Sequence, residues 1–329
     1  MIQIEYPWLK EPASRLRAQR GKLPHALLIH GPRGVGKLAL AEYLTQALLC
    51  ESGDEAPCGH CAGCRWLKAG SHPDYRRVEP ESLARPVEPE EGEAEAAPAA
   101  SSRGAKPSTE IKVDQIRGLD SFLTVKSHRD GRRVALVQPA EDMNPNAANA
   151  LLKSLEEPPG AALFILVSHR PSWLLATIRS RCVSFPVGIP EPESATRWLA
   201  DQGVQAPEAW LAFASGAPLR ALGLASEAEG AHKLSLWKAL EARDLELLGS
   251  VQDRDQLEAL AEVLQKFALD RALASFAGRG KYGAKARPSA NGAAWLSFAR
   301  KMGRNRRLAG HPLNPRLFAG EMLREMPSD

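Results

Sequence analysis

The chain has 329 residues, 44% hydrophobic and 25% charged, with a net charge of +4. That length allows two or three domains, each large enough for its own core, and the composition is ordinary for a soluble globular protein. No apolar run approaches a membrane span, and the start MIQIEYPWLK lacks a basic-then-apolar signal architecture, so a cytoplasmic, non-membrane protein is expected.

In chain order, HALLIH (25–30) reads as a buried strand that ends in a Gly-rich turn. KLALAEYLTQALLC follows with Leu38, Ala41, Leu44 and Leu48 at helical spacing. Between them lies Gly31-x-x-Gly34-x-Gly36-Lys37, a phosphate loop in its required strand–loop–helix context. Such a loop surrounds phosphates with backbone N–H groups, and its lysine reaches the β and γ oxygens. Hydrolysis also needs Mg²⁺, held by a Ser/Thr after the lysine and by an Asp at a nearby strand end. Here Leu38 follows Lys37, and the strand RRVALV ends in Gln138-Pro139. Glu141 is out of register to replace the missing acid. The loop therefore keeps its shape, and bound ATP is doubtful.

Four cysteines follow at Cys50-x7-Cys58-x2-Cys61-x2-Cys64. Four thiolates complete a tetrahedral zinc shell, and the lack of an open position makes the site structural. His60 competes as a ligand but is not needed. Cys182 stands apart and reads as a core residue.

YRRVEP is a short strand. Residues 79–110 hold eight acids and three bases with few large apolar residues, which predicts a disordered acidic insertion. IKVDQIRGLDSFL is helical through Val113, Ile116, Leu119 and Leu123. NPNAANALLKSLEEPP is a helix with Asn144 as N-cap, Pro145 in its first turn and Pro158-Pro159 as its stop. AALFILVSH is a strand, RPSWLLATIRSRC a turn and short helix, and VSFPV a last strand. This alternation over residues 1–187 predicts an α/β domain with a parallel sheet. From Pro190 the pattern is helical, giving an all-α remainder. Residues 271–320 carry eleven Lys or Arg and no acid, so this face meets something negative or is simply solvated.

ANALLKSLEEPP (148–159), FILVSHRPSWLLATIRSRC (164–182) and CGHCAGCRWLKAGSHPDY (58–75) closely resemble bacterial clamp-loader subunits, AAA+ proteins that place a sliding clamp on primed DNA. The resemblance covers roughly residues 1–225 and is weaker beyond, where HPLNPRLFAGEML (311–323) matches best. It implies an AAA+ P-loop domain over 1–187 with a zinc module at 50–64, a helical lid over 188–225 and a helical collar over 226–329. The lost magnesium ligand and strand acids resemble the delta-prime members of DNA polymerase III, whereas the motor γ/τ members keep both. The resemblance gives Arg181, in Ser180-Arg181-Cys182, a role in trans at a neighbour's ATP. It also matches Arg220 to a second sensor and Ser168 to a first. It implies γ/τ, delta, the sliding clamp and primer–template DNA as partners in a hetero-oligomer. Two other readings remain. One is an active ATPase with atypical magnesium coordination. The other is a zinc-dependent nucleic-acid module using Arg65, Trp66 and Lys68.

Overall fold

The computed structural model describes residues 4–53, 56–84, 107–125, 132–278, 280, 291–309, 311 and 313–327. It falls into two compact units, Met1–Ile189 and Pro190–Asp329.

The first unit is α/β. Its elements are α1 (Lys10–Ala18), β1 (Ala26–His30), α2 (Lys37–Leu49), α3 (Ala62–Ala69), β2 (Tyr75–Val78) and α4 (Val113–Thr124). They continue with β3 (Arg133–Val137), α5 (Pro145–Glu156), β4 (Ala162–Ser168), α6 (Ala176–Arg181) and β5 (Val183–Pro186). The five strands form one sheet in the order β2-β3-β4-β1-β5, with every pairing parallel. All strands therefore point the same way, and the C-terminal ends of β1, β3 and β4 share one edge. Ligands of open parallel sheets bind along that edge.

Alternation explains how both faces are covered. Leu28, Ala135, Val137, Phe164 and Leu166 face one apolar cluster with Ile116 and Leu119 of α4, Leu151 of α5 and Ile178 of α6. The intervening Leu27, Ile29, Leu136 and Ile165 are equally buried. A parallel sheet hidden on both sides needs near-continuous apolar strands, and ALLI, VALV and LFILV supply them. Helix α5 starts where its residues dictate: the Asn144 side chain accepts the Ala147 N–H at 2.8 Å, and Pro145 occupies the first turn.

Of the acidic insertion, residues 85–106 lie outside the described residues. Its two stems are tied together by Ser82 N–H to the Ser108 carbonyl at 3.0 Å and by Lys112–Glu81 at 2.7 Å. Residues 279 and 281–290, before the last two helices, also lie outside the described residues.

The second unit is helical: α7 (Pro192–Asp201), α8 (Pro207–Phe213), α9 (Pro218–Ser226), α10 (Ala228–Ala242), α11 (Leu245–Gly249), α12 (Arg254–Ala277), α13 (Gly292–Leu308) and α14 (Pro315–Arg324). Helix α12 is its axis. The Asp253 side chain caps it by accepting the Gln256 N–H at 2.8 Å, and Gly278 ends it in the left-handed region. The rings of Phe213, Trp237, Phe267, Trp295 and Phe298 meet edge to face in sequence, with centroids 5.4–6.2 Å apart. The stretches expected as lid and collar both feed this one apolar cluster. Among the described residues, no helix is long and apolar enough to cross a membrane.

Candidate functional site

The phosphate loop joins β1 to α2 at the shared sheet edge. Gly31, Gly34 and Gly36 all take positive φ, at 150°, 85° and 90°. Gly31 is required by space as well, because a Cβ there would lie 2.0 Å from the Val187 carbonyl oxygen. The Lys37 side chain is turned into its own loop. It is buried, and Nζ donates to the Gly31 and Pro32 carbonyls at 2.8 and 2.6 Å. Burial pulls its pKa down to about 8; nearby Glu141 opposes that effect and Arg33 adds to it.

None of the positions expected to hold magnesium supplies a hydroxyl or a carboxylate from the expected place. Leu38 is a hydrocarbon. Gln138, at the end of β3, is buried and donates from Nε2 to Glu79 at 2.7 Å. Glu79 also accepts from Arg77 at 2.7 Å, so the strand-end amide braces β3 against the end of β2. Both Glu141 oxygens accept the His169 N–H, at 2.9 and 3.2 Å, which fixes this carboxylate to the end of β4. Asp142 follows it, its carboxyl pushed up by burial and by Glu141. The neighbouring histidines are pushed toward neutrality. Burial, then Lys37, takes His169 down to about 4, and the same two causes lower His30. Ser168, the first-sensor position, is fully buried; its carbonyl accepts the Gly31 N–H, and its hydroxyl accepts the Arg170 N–H.

The four cysteines converge. One sulfur from each of Cys50, Cys58, Cys61 and Cys64 lies within 4.8 Å of the others. Cys50 ends α2 and Cys61 caps α3, so the cluster ties a loop excursion to the helix that follows the phosphate loop. Backbone N–H groups aim at the sulfurs: Cys58 N to Cys50 Sγ at 3.3 Å, and Cys61 N to Cys58 Sγ and Cys64 N to Cys61 Sγ at 3.4 Å each. Such donors favour thiolates. Hydrogen bonds led by Ser52 lower the Cys58 thiol, whereas burial raises that of Cys64. Four soft ligands at this spacing fit a tetrahedral ion, which would remove the conflict between them. His60 stays outside, exposed, with Nδ1 3.2 Å from the Cys58 carbonyl. Cys182 is buried in the sheet core, its thiol raised to about 11 by burial.

Arg181 is the last residue of α6. Its guanidinium donates to Glu156 at 2.6 Å and to the Thr177 carbonyl at 3.1 Å, and its side chain is one-third exposed. Trp173, Leu175 and Val183, flanking α6 in sequence, are exposed apolar residues. Arg220 belongs to the other unit, where it faces the buried Glu262 at 3.8 Å. Glu262 also binds Lys233 and Lys266 at 2.9 Å each and Arg306 at 3.4 Å. Sequence reasoning missed Glu79, Glu156 and Glu262 as partners. Their separations from Gln138, Arg181 and Arg220 are too long for any local pattern.

A family profile described as DNA polymerase III, delta subunit, matches residues 13–188. The chain is 42% identical over 221 residues to DNA polymerase III subunit delta' of Pseudomonas aeruginosa, an alignment covering 66% of this chain and 60% of that protein. It is 35% identical over 225 residues to the Escherichia coli subunit delta', covering 67% and 60%. The chain thus spans about 60% of the length of these relatives. Among solved structures, a gamma subunit-related DNA polymerase III protein of Thermotoga maritima superposes with a TM-score of 0.47 at 19% identity, over 95% of this chain and 97% of that one. With a matched profile across more than half its residues and relatives at this identity, the chain belongs to the delta-prime subunit family of DNA polymerase III.

Proposed function

We propose that this chain is a clamp-loader subunit that does not hydrolyse ATP itself and completes a neighbour's ATP site with Arg181. The observation that carries the reading is the fate of the magnesium positions. Leu38 offers no oxygen, Gln138 is engaged with Glu79, and Glu141 is fixed on the His169 amide. Lys37 meanwhile satisfies its ammonium on loop carbonyls. A phosphate loop without metal ligands lacks the charge neutralisation that phosphoryl transfer needs. Arg181, by contrast, sits at a helix end on the surface, where a planar and permanently charged guanidinium can exchange Glu156 for phosphate oxygens. The exposed Trp173, Leu175 and Val183 supply apolar surface near it in sequence for a subunit contact.

In this reading the partners are γ/τ motor subunits and delta, with the sliding clamp and primer–template DNA met through the complex. Cys50, Cys58, Cys61 and Cys64 hold a structural zinc that fixes the loop after α2. Arg220 acts within its own helical unit through Glu262 instead of on a nucleotide.

The competing reading is an active ATPase. The position of Glu141, close enough to raise the Lys37 pKa, favours it, since Glu141 or Asp142 would then have to serve the metal. Turnover by the purified chain decides between them. The proposal expects none with Mg-ATP. Turnover abolished by both Lys37→Ala and Glu141→Gln would overturn it.

A further inference from the structure

Helix α13 carries five cations of unequal standing. Two are matched to acids: Lys301 to Glu325 at 2.5 Å, and Arg306 to Glu262 at 3.4 Å and Glu258 at 4.0 Å. The other three, Arg300, Arg304 and Arg307, are exposed and have no acidic partner among the described residues. At about 100° per residue they fall on one stripe about 60° wide, spread over about 10 Å of helix. Lys301 and Arg306 project to either side of it. The exposed Ala293 lies within it, the exposed Ser297 and Leu308 flank it about 20° and 40° beyond the Arg304 edge, and no aromatic ring interrupts it; Trp295 and Phe298 are buried on the opposite side. The surrounding sequence adds nothing that would neutralise it, because residues 271–320 contain no Asp or Glu.

We propose that Arg300, Arg304 and Arg307 form a contact surface for the phosphate backbone of duplex DNA. Three guanidiniums without acidic partners along a straight helix can face a row of phosphates, whose charges on each strand are spaced ~3.4 Å along the duplex axis. Arginine forks bind phosphate oxygens bidentately. An interface with another protein would place large apolar or aromatic residues at its centre, and the stripe has none. A single-strand site would offer rings for bases to stack on, and these are absent too. This surface does not depend on the role of Arg181 or on the ATP site.

The test is fluorescence anisotropy of the full chain with a labelled 20-base-pair duplex across a salt series. The expected result is measurable binding, with a slope of log K against log salt that becomes shallower by about 2.7 in Arg300→Gln/Arg304→Gln/Arg307→Gln. Arg→Lys at the same three positions keeps the charge and should keep the slope. Lys10→Gln/Arg197→Gln/Lys238→Gln removes equal charge elsewhere and should leave binding near wild type. Four results would overturn the proposal. They are no duplex binding by the wild type, an unchanged slope in the stripe variant, an equal loss in the control variant, or tighter binding of a single-stranded 20-mer or of a poly-glutamate peptide.

Discussion

Replacing Glu262 with Gln tests how the helical unit is held and what Arg220 is for. Glu262 is 7% exposed and faces four cations. The side chains of Lys266 and Lys233 are only 9% and 12% exposed; the substitution leaves the Lys266 ammonium buried without its counter-charge, while Lys233 keeps Glu229 at 2.6 Å. Breaking a buried pair from one side costs about 3–5 kcal/mol. Lys266 keeps a partial substitute, since its Nζ lies 4.1 Å from the Phe213 ring centroid, which moves the expectation to the lower end. Arg220 and Arg306 are some two-fifths exposed and add under about 1 kcal/mol each.

The carboxyl itself gives a second measure. Burial alone would raise it, but Lys266 and Lys233 outweigh burial and hold it at about 2, against an ordinary 4.5. That difference corresponds to about 3 kcal/mol, discounted toward ~2 for partial solvent screening. A depressed folded-state pKa stabilises above the unfolded value and is lost as pH falls through the folded one. The wild-type advantage over Glu262→Gln should therefore be constant above about pH 5.5 and shrink between about pH 5 and pH 2. In urea unfolding followed by helical circular dichroism, the expected loss at pH 7 is about 3 kcal/mol, or about 10 °C in a thermal melt. A loss below about 0.5 kcal/mol, the range of ordinary surface changes, or a gap that does not narrow in acid would refute the buried-network account.

Three further outcomes follow from the first unit. Cys61→Ser should abolish metal content, measured by plasma mass spectrometry, while the wild type carries about one zinc per chain; equal metal in both would remove the zinc assignment. Gly31→Ala should cost at least about 2 kcal/mol, because its Cβ would meet the Val187 carbonyl at 2.0 Å, and a thermal melt within 2 °C of wild type would contradict the packing described. Glu156→Ala removes a pair whose side chains are 34% and 50% exposed, so its stability should change by less than about 1 kcal/mol by the same melt. A larger loss would make Arg181 a structural residue.

Much of the first unit was legible because its signals are local. ALLI, VALV and LFILV announce buried strands, the glycines of the phosphate loop need only their neighbours, and Asn144-Pro145 fixes the start of α5 within one turn. The four cysteines span fifteen residues, so spacing alone predicted their convergence. The missing hydroxyl at Leu38 and the missing carboxylate at Gln138 were equally plain. What those positions do instead was not: Gln138 meets a glutamate 59 residues earlier, and only the β2–β3 pairing brings them together. The sequence position of Glu141 puts it out of register with the strand end, but its attachment to the His169 amide depends on β3 and β4 being neighbours. The Glu262 cluster is harder still, since its members come from α9, α10, α12 and α13, and only Glu262 and Lys266, four residues apart on α12, are linked by spacing. The basic character of residues 271–320 was visible in composition. Which of its arginines are paired required the fold.

The most direct test of the central claim is steady-state ATP hydrolysis by a complex reconstituted from γ/τ and delta subunits with this chain, either wild type or Arg181→Ala. A trans arginine supplies about 10³–10⁵ in rate at the site it completes. The account predicts that the Arg181→Ala complex assembles normally on gel filtration, while DNA-stimulated hydrolysis falls by the share of that one site and clamp loading falls with it. Assembly with unchanged hydrolysis and unchanged loading would contradict it.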